Sequence, residues 1–443
     1  MQDPFEQKGS GRRGFAILAA AALGAGLGVA GWRAAASGGA AERGWCGIGC
    51  GGIVPGWSLA AYQAIRAKDG YADPLTASRW LAMMHIAMHD AVNAAVPRYA
   101  PHVLMTRVSG ADASVAAAAA AHGVMVEFCP DQKPMLDAEL AMVTAEAGRG
   151  PAVERGKALG AEAARAVVAA RAEDGAAARL PYAPQARPGR YQYTPGFDFI
   201  FHPQWRHLRP FALRSPSQFR VGAPPSLDSG AYQRAFEEVK ALGGKGSTRR
   251  SEDQTRFAHF WYEFSDIGWN RVARVVARER DLDLWEASRM FALVNMALAD
   301  AYIAGWDSKL HHDFWRPVTA IRLAADDGNP ATAPEPGWEP LLPTPPIQDH
   351  PSTHSALGAA AAAVMGGLLG DATPFTLTST SALPEAPIRR FASFSSAARE
   401  NAESRVMAGL HFRFSCEAGL ELGERVGRFT LTNHLRALDR RPA

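Results

Sequence analysis

Residues 284–317 read LWEASRMFALVNMALADAYIAGWDSKLHHDFWRP. Apolar side chains recur at helical spacing from Leu284 to Leu310, which predicts one long helix. Its far end is unusual, because Trp306-Asp307-Ser308-Lys309-Leu310-His311-His312-Asp313-Phe314-Trp315-Arg316-Pro317 sets polar groups into a tightly patterned apolar region. Lys309 and Arg316 are seven apart, two helical turns, so the spacing predicts that they share one helix face.

The same period extends outward in both directions. Upstream it covers 76–97, 115–128, 158–175, 231–243, 253–264 and 269–280, with Pro97 closing the first run and Gly175 capping the third. Downstream it covers 355–370 and two C-terminal segments, 386–409 and 415–438. No strong alternating pattern predicts a strand. Between the helices lie two long loops, 176–230 and 329–351, rich in proline. The first also holds too many Tyr, Phe and Trp residues for a solvated linker. The expectation is an all-α helical bundle with both loops at one end.

The chain has 443 residues, enough for one large domain or two medium ones. We divide it into a leader, 1–41, an N-terminal helical part, 55–245, and a C-terminal helical part, 246–443. Of a formal net charge of +3, the leader carries +2 through Lys8, Arg12, Arg13 and Arg33 against Asp3 and Glu6. The rest is nearly neutral, which argues against a nucleic-acid partner, since backbone binding needs a clustered positive field. Arg12-Arg13-Gly14-Phe15, a short Ala/Gly-rich stretch and small residues at Ala34–Ala36 and Ala40-Ala41 predict a twin-arginine signal, and hence a periplasmic or secreted protein without a membrane span after processing. An oxidising destination permits disulfides among Cys46, Cys50, Cys129 and Cys416, but their pairing does not follow from the spacing.

Two further segments join the first. His350-Pro351-Ser352-Thr353-His354-Ser355 directly precedes the Ala-rich helix, so the Ser352 hydroxyl and several backbone N–H groups fall at a helix N-terminus, which favours anions. Arg405-Val406-Met407-Ala408-Gly409-Leu410-His411 sets a cation and an imidazole six apart near a helix end. Together the three segments supply three cations, a hydroxyl, a helix terminus and two imidazoles. That set suits a tetrahedral or trigonal-bipyramidal oxyanion. Each segment alone is commonplace: a Lys/Arg pair is usually a solvated face, and a lone histidine is usually a satisfied core residue.

Lys309-x6-Arg316-Pro317, Pro351-Ser352-x-His354 and Arg405-x5-His411, taken in this order, resemble the vanadium-dependent haloperoxidase and type 2 phosphatidic acid phosphatase superfamily. RWLAMMHIAMHDAVNA (79–94), SEDQTRFAHFWYE (251–263) and ADAYIAGWDSKLHHDFWRP (299–317) are similar to bacterial members of the haloperoxidase branch. The resemblance implies a vanadate cofactor, with Lys309, Arg316 and Arg405 on its equatorial oxygens and Ser352 adding a hydrogen bond. It implies His411 as the axial ligand, or as the nucleophile toward phosphorus in a phosphatase, and His354 as the acid/base. Trp306 matches an aromatic bordering the halide region in some haloperoxidases. Hydrogen peroxide and a halide or small organic substrate are then the expected partners, and a homo-oligomer stays open. Thr353 stands where the family usually has glycine. It keeps the backbone N–H but not glycine's freedom at positive φ.

Three functions follow: a haloperoxidase, an acid phosphatase on the same scaffold, and a silent anion-sequestering protein. The last has no use for two histidines placed as acid/base and nucleophile. Other polar residues are set aside. His85, His89 and Asp90 lie in a core-type helix without the glutamate of a zinc motif, His311, His312 and Asp313 suit outer hydrogen bonds, and Arg389-Arg390 suits a surface pair. The aromatic stretch 191–205 is placed over the mouth of the site.

Overall fold

The computed structural model describes residues 52–438. The leader, Cys46 and Cys50 lie outside the described residues; Cys129 and Cys416 are buried free thiols.

Several helices start where a short polar side chain satisfies a first amide, as at Asp73, Asp112, Ser229, Ser251, Asp283, Ser352 and Ser393. After α1 (Ile53–Asp69), the Asp73 carboxylate accepts from Thr76 N at 3.0 Å and opens α2 (Pro74–Ala95). Asp112 does the same for α3 (Ala113–Phe128). Then follow α4 (Lys133–Ala147) and α5 (Pro151–Ala170). The long loop leads to α6 (Gly230–Gly243), α7 (Glu252–Phe260) and α8 (Ser265–Glu279). The next helix, α9 (Leu284–His312), opens on a reciprocal capping box between Asp283 and Glu286. It is buried almost continuously from Met290 to Lys309, as befits a helix surrounded by others. A short α10 (Pro317–Arg322), the second loop and α11 (Thr353–Leu369) follow. The chain ends with a hairpin, β1 (Phe375–Thr378) and β2 (Ile388–Phe391), then α12 (Phe394–Met407) and α13 (Arg413–Asn433). The bundle is helical, as expected. Among the described residues no helix is long and apolar enough to cross a membrane.

Packing around the future site depends on small residues. Gly419, Gly423 and Gly427 form one stripe of α13, and a Cβ on each would come within 2.4, 2.0 and 2.4 Å of the Ser352, Ala356 and Ala360 carbonyl oxygens of α11 and its cap. The Ala-rich face of α11 and this glycine stripe let the two backbones touch. The N-terminus of α11 is thereby pinned against α13.

Buried carboxylates fasten the loops. Asp300 of α9 accepts from the amides of Phe211, Ala212 and Leu213 at 2.7–2.8 Å, and Asp90 of α2 does the same for His102, Val103 and Leu104. His89 contacts the Ala100 carbonyl, and His85 packs on the Phe291 ring. Phe201 N donates to the Pro346 carbonyl at 2.9 Å, so the two long loops meet at one end of the bundle.

Several expectations need correction. Lys309 and Arg316 do not share a helix face: α9 stops at His312, Asp313 turns left-handed (φ 52°), and Arg316 is the N-cap of α10. The segment predicted as helix from 386 begins instead with β2, paired antiparallel to β1 with Leu377 opposite Arg389. Arg389 is no loose surface residue; it pairs with Asp253 at 2.8 Å and Glu400 at 2.7 Å, clamping the hairpin to α7 and α12. Gly175 caps no helix, because α5 runs from Pro151 and ends on Arg171.

Candidate oxyanion site

The three polar segments converge. Lys309, in the last turn of α9, donates through Nζ to the carbonyls of Gln348 and Asp349 at 2.5 and 3.0 Å. Arg316 donates from Nε to the Ile347 carbonyl at 2.7 Å and from Nη1 to the Leu410 carbonyl at 2.8 Å. The same Nη1 lies 2.9 Å from His411 Nε2. Ser352 caps α11, and its hydroxyl accepts from Ser355 Oγ at 2.9 Å. Thr353 opens that helix with ordinary helical backbone, so this position does not need glycine's freedom at positive φ. Arg405, in the last turn of α12, donates to the Trp261 carbonyl at 3.0 Å, while its Nε is buried without a partner.

Gly409 brings His411 back beside Arg405. Its left-handed backbone (φ 77°) ends α12, and the amides of Leu410 and His411 both fold back onto the Arg405 carbonyl. A Cβ at this position would also lie 2.4 Å from the Gly243 carbonyl.

Arg316, Thr353, His354, Arg405, His411 and Trp306 line one cavity of about 170 Å³. Lys309 and Ser352 are fully buried but lie behind its wall rather than in it. Phe201 of the aromatic stretch also lines it, and accepts from Trp306 Nε1 at 2.9 Å. Asp313 acts indirectly: it accepts from Tyr182 and from Gln348 Nε2, and so braces the loop whose carbonyls hold Lys309.

The residue that sequence reasoning missed is Asp349. It is wholly buried, and its Oδ1 lies 2.9 Å from His411 Nδ1. Its Oδ2 accepts from the Ser415 hydroxyl of α13. The only available signal was an acidic residue three before Ser352 in a proline-rich loop. The consequence for His411 is specific. Arg316 Nη1 is also 3.4 Å from Nδ1, so it does not mark either nitrogen as the acceptor; the Asp349 carboxylate beside Nδ1 favours the proton there and leaves Nε2 unprotonated. The same logic applies to His354, whose Nε2 lies 3.1 Å from the Glu263 carbonyl. That contact puts the proton on Nε2 and leaves Nδ1 able to accept one.

Electrostatically the site holds more buried positive than negative charge. Burial, then the Arg316 guanidinium, push Lys309 well below its ordinary value. Burial and Arg405 do the same to His354, and burial, Arg316 and Lys309 to His411. Burial lowers Arg405 to about 10. Burial raises Asp349 while Arg316 pulls it down. Three cations answered by one carboxylate, with the Arg405 Nε lacking an acceptor, make an environment that an anion would relieve. The donor set therefore fits vanadate or phosphate.

Fold and site together define a helical-bundle protein with a buried cationic pocket for an oxyanion. Residues 289–440 match the family model described as the VCPO second helical-bundle domain. The chain is 30% identical over 275 residues to the vanadium chloroperoxidase of Curvularia inaequalis, an alignment covering 46% of this chain and 44% of that protein. It thus spans less than half the length of that curated relative. The crystal structure described as the first bacterial vanadium-dependent iodoperoxidase superposes with a TM-score of 0.76 at 27% identity, covering 88% of this chain and 98% of the other. An apo-type bacterial vanadium-dependent chloroperoxidase shares the fold, with a TM-score of 0.67 at 19% identity over 80% and 92% of the two chains. The resemblance stated on sequence motifs is borne out: this chain is similar to vanadium-dependent haloperoxidases in sequence and in fold.

Proposed function

We propose that the protein is a vanadate-dependent peroxidase that oxidises halide with hydrogen peroxide, exported through its twin-arginine leader. The observation that carries this reading is the Asp349–His411 contact. With a carboxylate 2.9 Å from Nδ1, Nε2 is left unprotonated among buried cations, as a histidine ligand to vanadate requires.

Arg316 and Arg405 would hold the vanadate oxygens through their guanidinium groups, and His411 would hold it through Nε2. Lys309 and Ser352 would support it from behind the cavity wall, with a buried positive charge and a helix-capping hydroxyl, and the Thr353 amide would add a donor at the α11 N-terminus. Bound vanadate would supply a Lewis acid that activates peroxide with no change in its own oxidation state. His354 would take the proton of the incoming peroxide on Nδ1, since its Nε2–H is committed to the Glu263 carbonyl. The low proton affinity that burial gives His354 keeps it neutral, the state a base requires. Trp306, at the cavity wall, would border the halide.

An acid phosphatase with His411 as nucleophile would use the same cradle, and Asp349 would orient the imidazole equally well for it. The haloperoxidase relatives and the aromatic cavity favour the first reading. The test is to assay vanadate-loaded protein with bromide or iodide and peroxide, and vanadate-free protein with p-nitrophenyl phosphate. Vanadate-dependent halide oxidation with negligible ester hydrolysis is expected. Brisk hydrolysis without halide oxidation overturns the proposal.

A further inference from the structure

The cavity that the oxyanion residues line has a second character. Away from the two arginines and two histidines its walls are aromatic, with Tyr71, Phe201, Tyr262, Phe264, Tyr302 and Trp306 among them. From the oxyanion end this one cavity runs past the aromatic walls to Arg66 at its exposed side, so a flat ring would lie against those walls beside the oxyanion. Its rings are held in place. Trp306 donates to the Phe201 carbonyl, and Tyr262 donates to the Pro343 carbonyl at 3.0 Å. Tyr71 and Tyr302 both donate to Asp266, at 2.5 and 3.3 Å, and Asp266 is wholly buried.

Tyr71 adopts a left-handed backbone (φ 62°), directly after Gly70 (φ 72°). A tyrosine is rarely retained there unless its placement is needed. Where Asp266 is ionised, both phenols give it their protons and can only accept a hydrogen bond from a ligand. Burial and the Asp266 charge also hold them as phenols well above the ordinary range. This makes them poorer targets for electrophilic halogen than a ring able to lose its proton. Arg66, in the last turn of α1, is exposed, lines the cavity, and has no carboxylate partner among the described residues.

We infer that this cavity binds a single-ring aromatic acid bearing a phenolic hydroxyl, of the hydroxybenzoate class, and that the ring is halogenated while held there. Its carboxylate meets Arg66, and its hydroxyl donates to a Tyr71 or Tyr302 oxygen. The inference rests on the haloperoxidase reading. In the reaction, peroxide oxidises halide as its O–O bond breaks; the O–X bond then breaks as the ring C–X bond forms, and the ring proton leaves with hydroxide as water. Per ring, one halide, one peroxide and one proton enter and two waters leave.

Binding is tested first, on the full chain without vanadate, by titrating 4-hydroxybenzoate in a calorimeter. Saturable binding at one site is expected, weakened about two- to fivefold by Arg66→Ala, as for a lost ion pair on an exposed arginine. Ile267→Phe, which fills the cavity, should abolish it, and phenol should bind equally to wild type and Arg66→Ala. No saturable binding, or binding indifferent to both substitutions, overturns the site. Halogen delivery is then tested on vanadate-loaded protein with bromide, peroxide and excess taurine to scavenge free hypobromite. Bromination of 4-hydroxybenzoate should persist while that of a bulky phenol dye is suppressed; equal suppression overturns in-cavity delivery. If the ring binds but no acceptor of any size is brominated, the haloperoxidase reading falls with the delivery step, and the aromatic site stands.

Discussion

Asp349 offers the sharpest test of how the site is built, through its replacement by asparagine and by leucine. Both substitutions remove a buried negative charge, which by itself should strengthen binding of an anion. A unit charge about 8 Å from an anion contributes about 2 kcal/mol at an effective dielectric near 20. Both therefore share that gain. They differ in the other effect. Asparagine can still accept from His411 Nδ1–H, whereas leucine cannot, and the wild-type contact is only 2.9 Å. Loss of the outer partner of a ligating histidine costs roughly 10- to 100-fold in affinity or activity. The difference between the two variants isolates it, because the charge effect cancels. Asp349→Leu should therefore bind vanadate at least about tenfold more weakly than Asp349→Asn, or roughly 1.4 kcal/mol. Calorimetric titration with orthovanadate measures this, and ¹⁵N NMR of the wild-type ring should find the His411 proton on Nδ1. Equal affinities of the two variants, or a proton on Nε2 in the wild type, would refute the assignment.

Other predictions follow from the same geometry. His354→Ala should lower kcat for halide oxidation by roughly 10²- to 10⁴-fold, the usual loss of a positioned base, while vanadate affinity changes much less. Steady-state kinetics beside calorimetry separates the two, and a fall in affinity alone would count against a base. Burial raises Asp266 from 3.8 to about 7, so the folded state holds its proton more tightly than the unfolded chain. Its contribution to stability is therefore complete at low pH and is lost as pH rises from about 4 through 7. Asp266→Asn should gain stability relative to wild type across that window in denaturant melts, and parallel pH profiles would contradict this. Gly423→Ala would set a methyl group 2.0 Å from the Ala356 carbonyl, and should destabilise the fold by about 1–3 kcal/mol, seen as a lower Tm.

Much of this architecture is legible in the sequence where the hydrophobic period is long and uninterrupted. Helix α9 shows itself within one residue at its start because its apolar faces and Asp283 cap agree. The site was legible as residue types, and the structure brings Arg316, Thr353, His354, Arg405 and His411 to one cavity, with Lys309 and Ser352 behind it. What spacing alone misjudges is the route of the chain. Lys309 and Arg316 look like two turns of one helix, but Asp313 at positive φ breaks it, and nothing in the seven-residue spacing marks that break. The hairpin was invisible because β2 is only four residues long and exposes most of its side chains. Asp349 and the Tyr71–Asp266–Tyr302 cluster arise from contacts between segments distant in sequence, 195 residues apart for Tyr71 and Asp266. No local pattern carries such contacts.

If this pocket holds vanadate on His411 and turns it to halide oxidation, activity must follow vanadate occupancy. The direct measurement is a titration of vanadate-free protein with orthovanadate, following peroxide-dependent bromide or iodide oxidation at each addition. Activity should rise from none to a plateau at one vanadate per chain, and His411→Ala should show no rise. Halide oxidation that is independent of vanadate, or undiminished in His411→Ala, would contradict a vanadate site on His411.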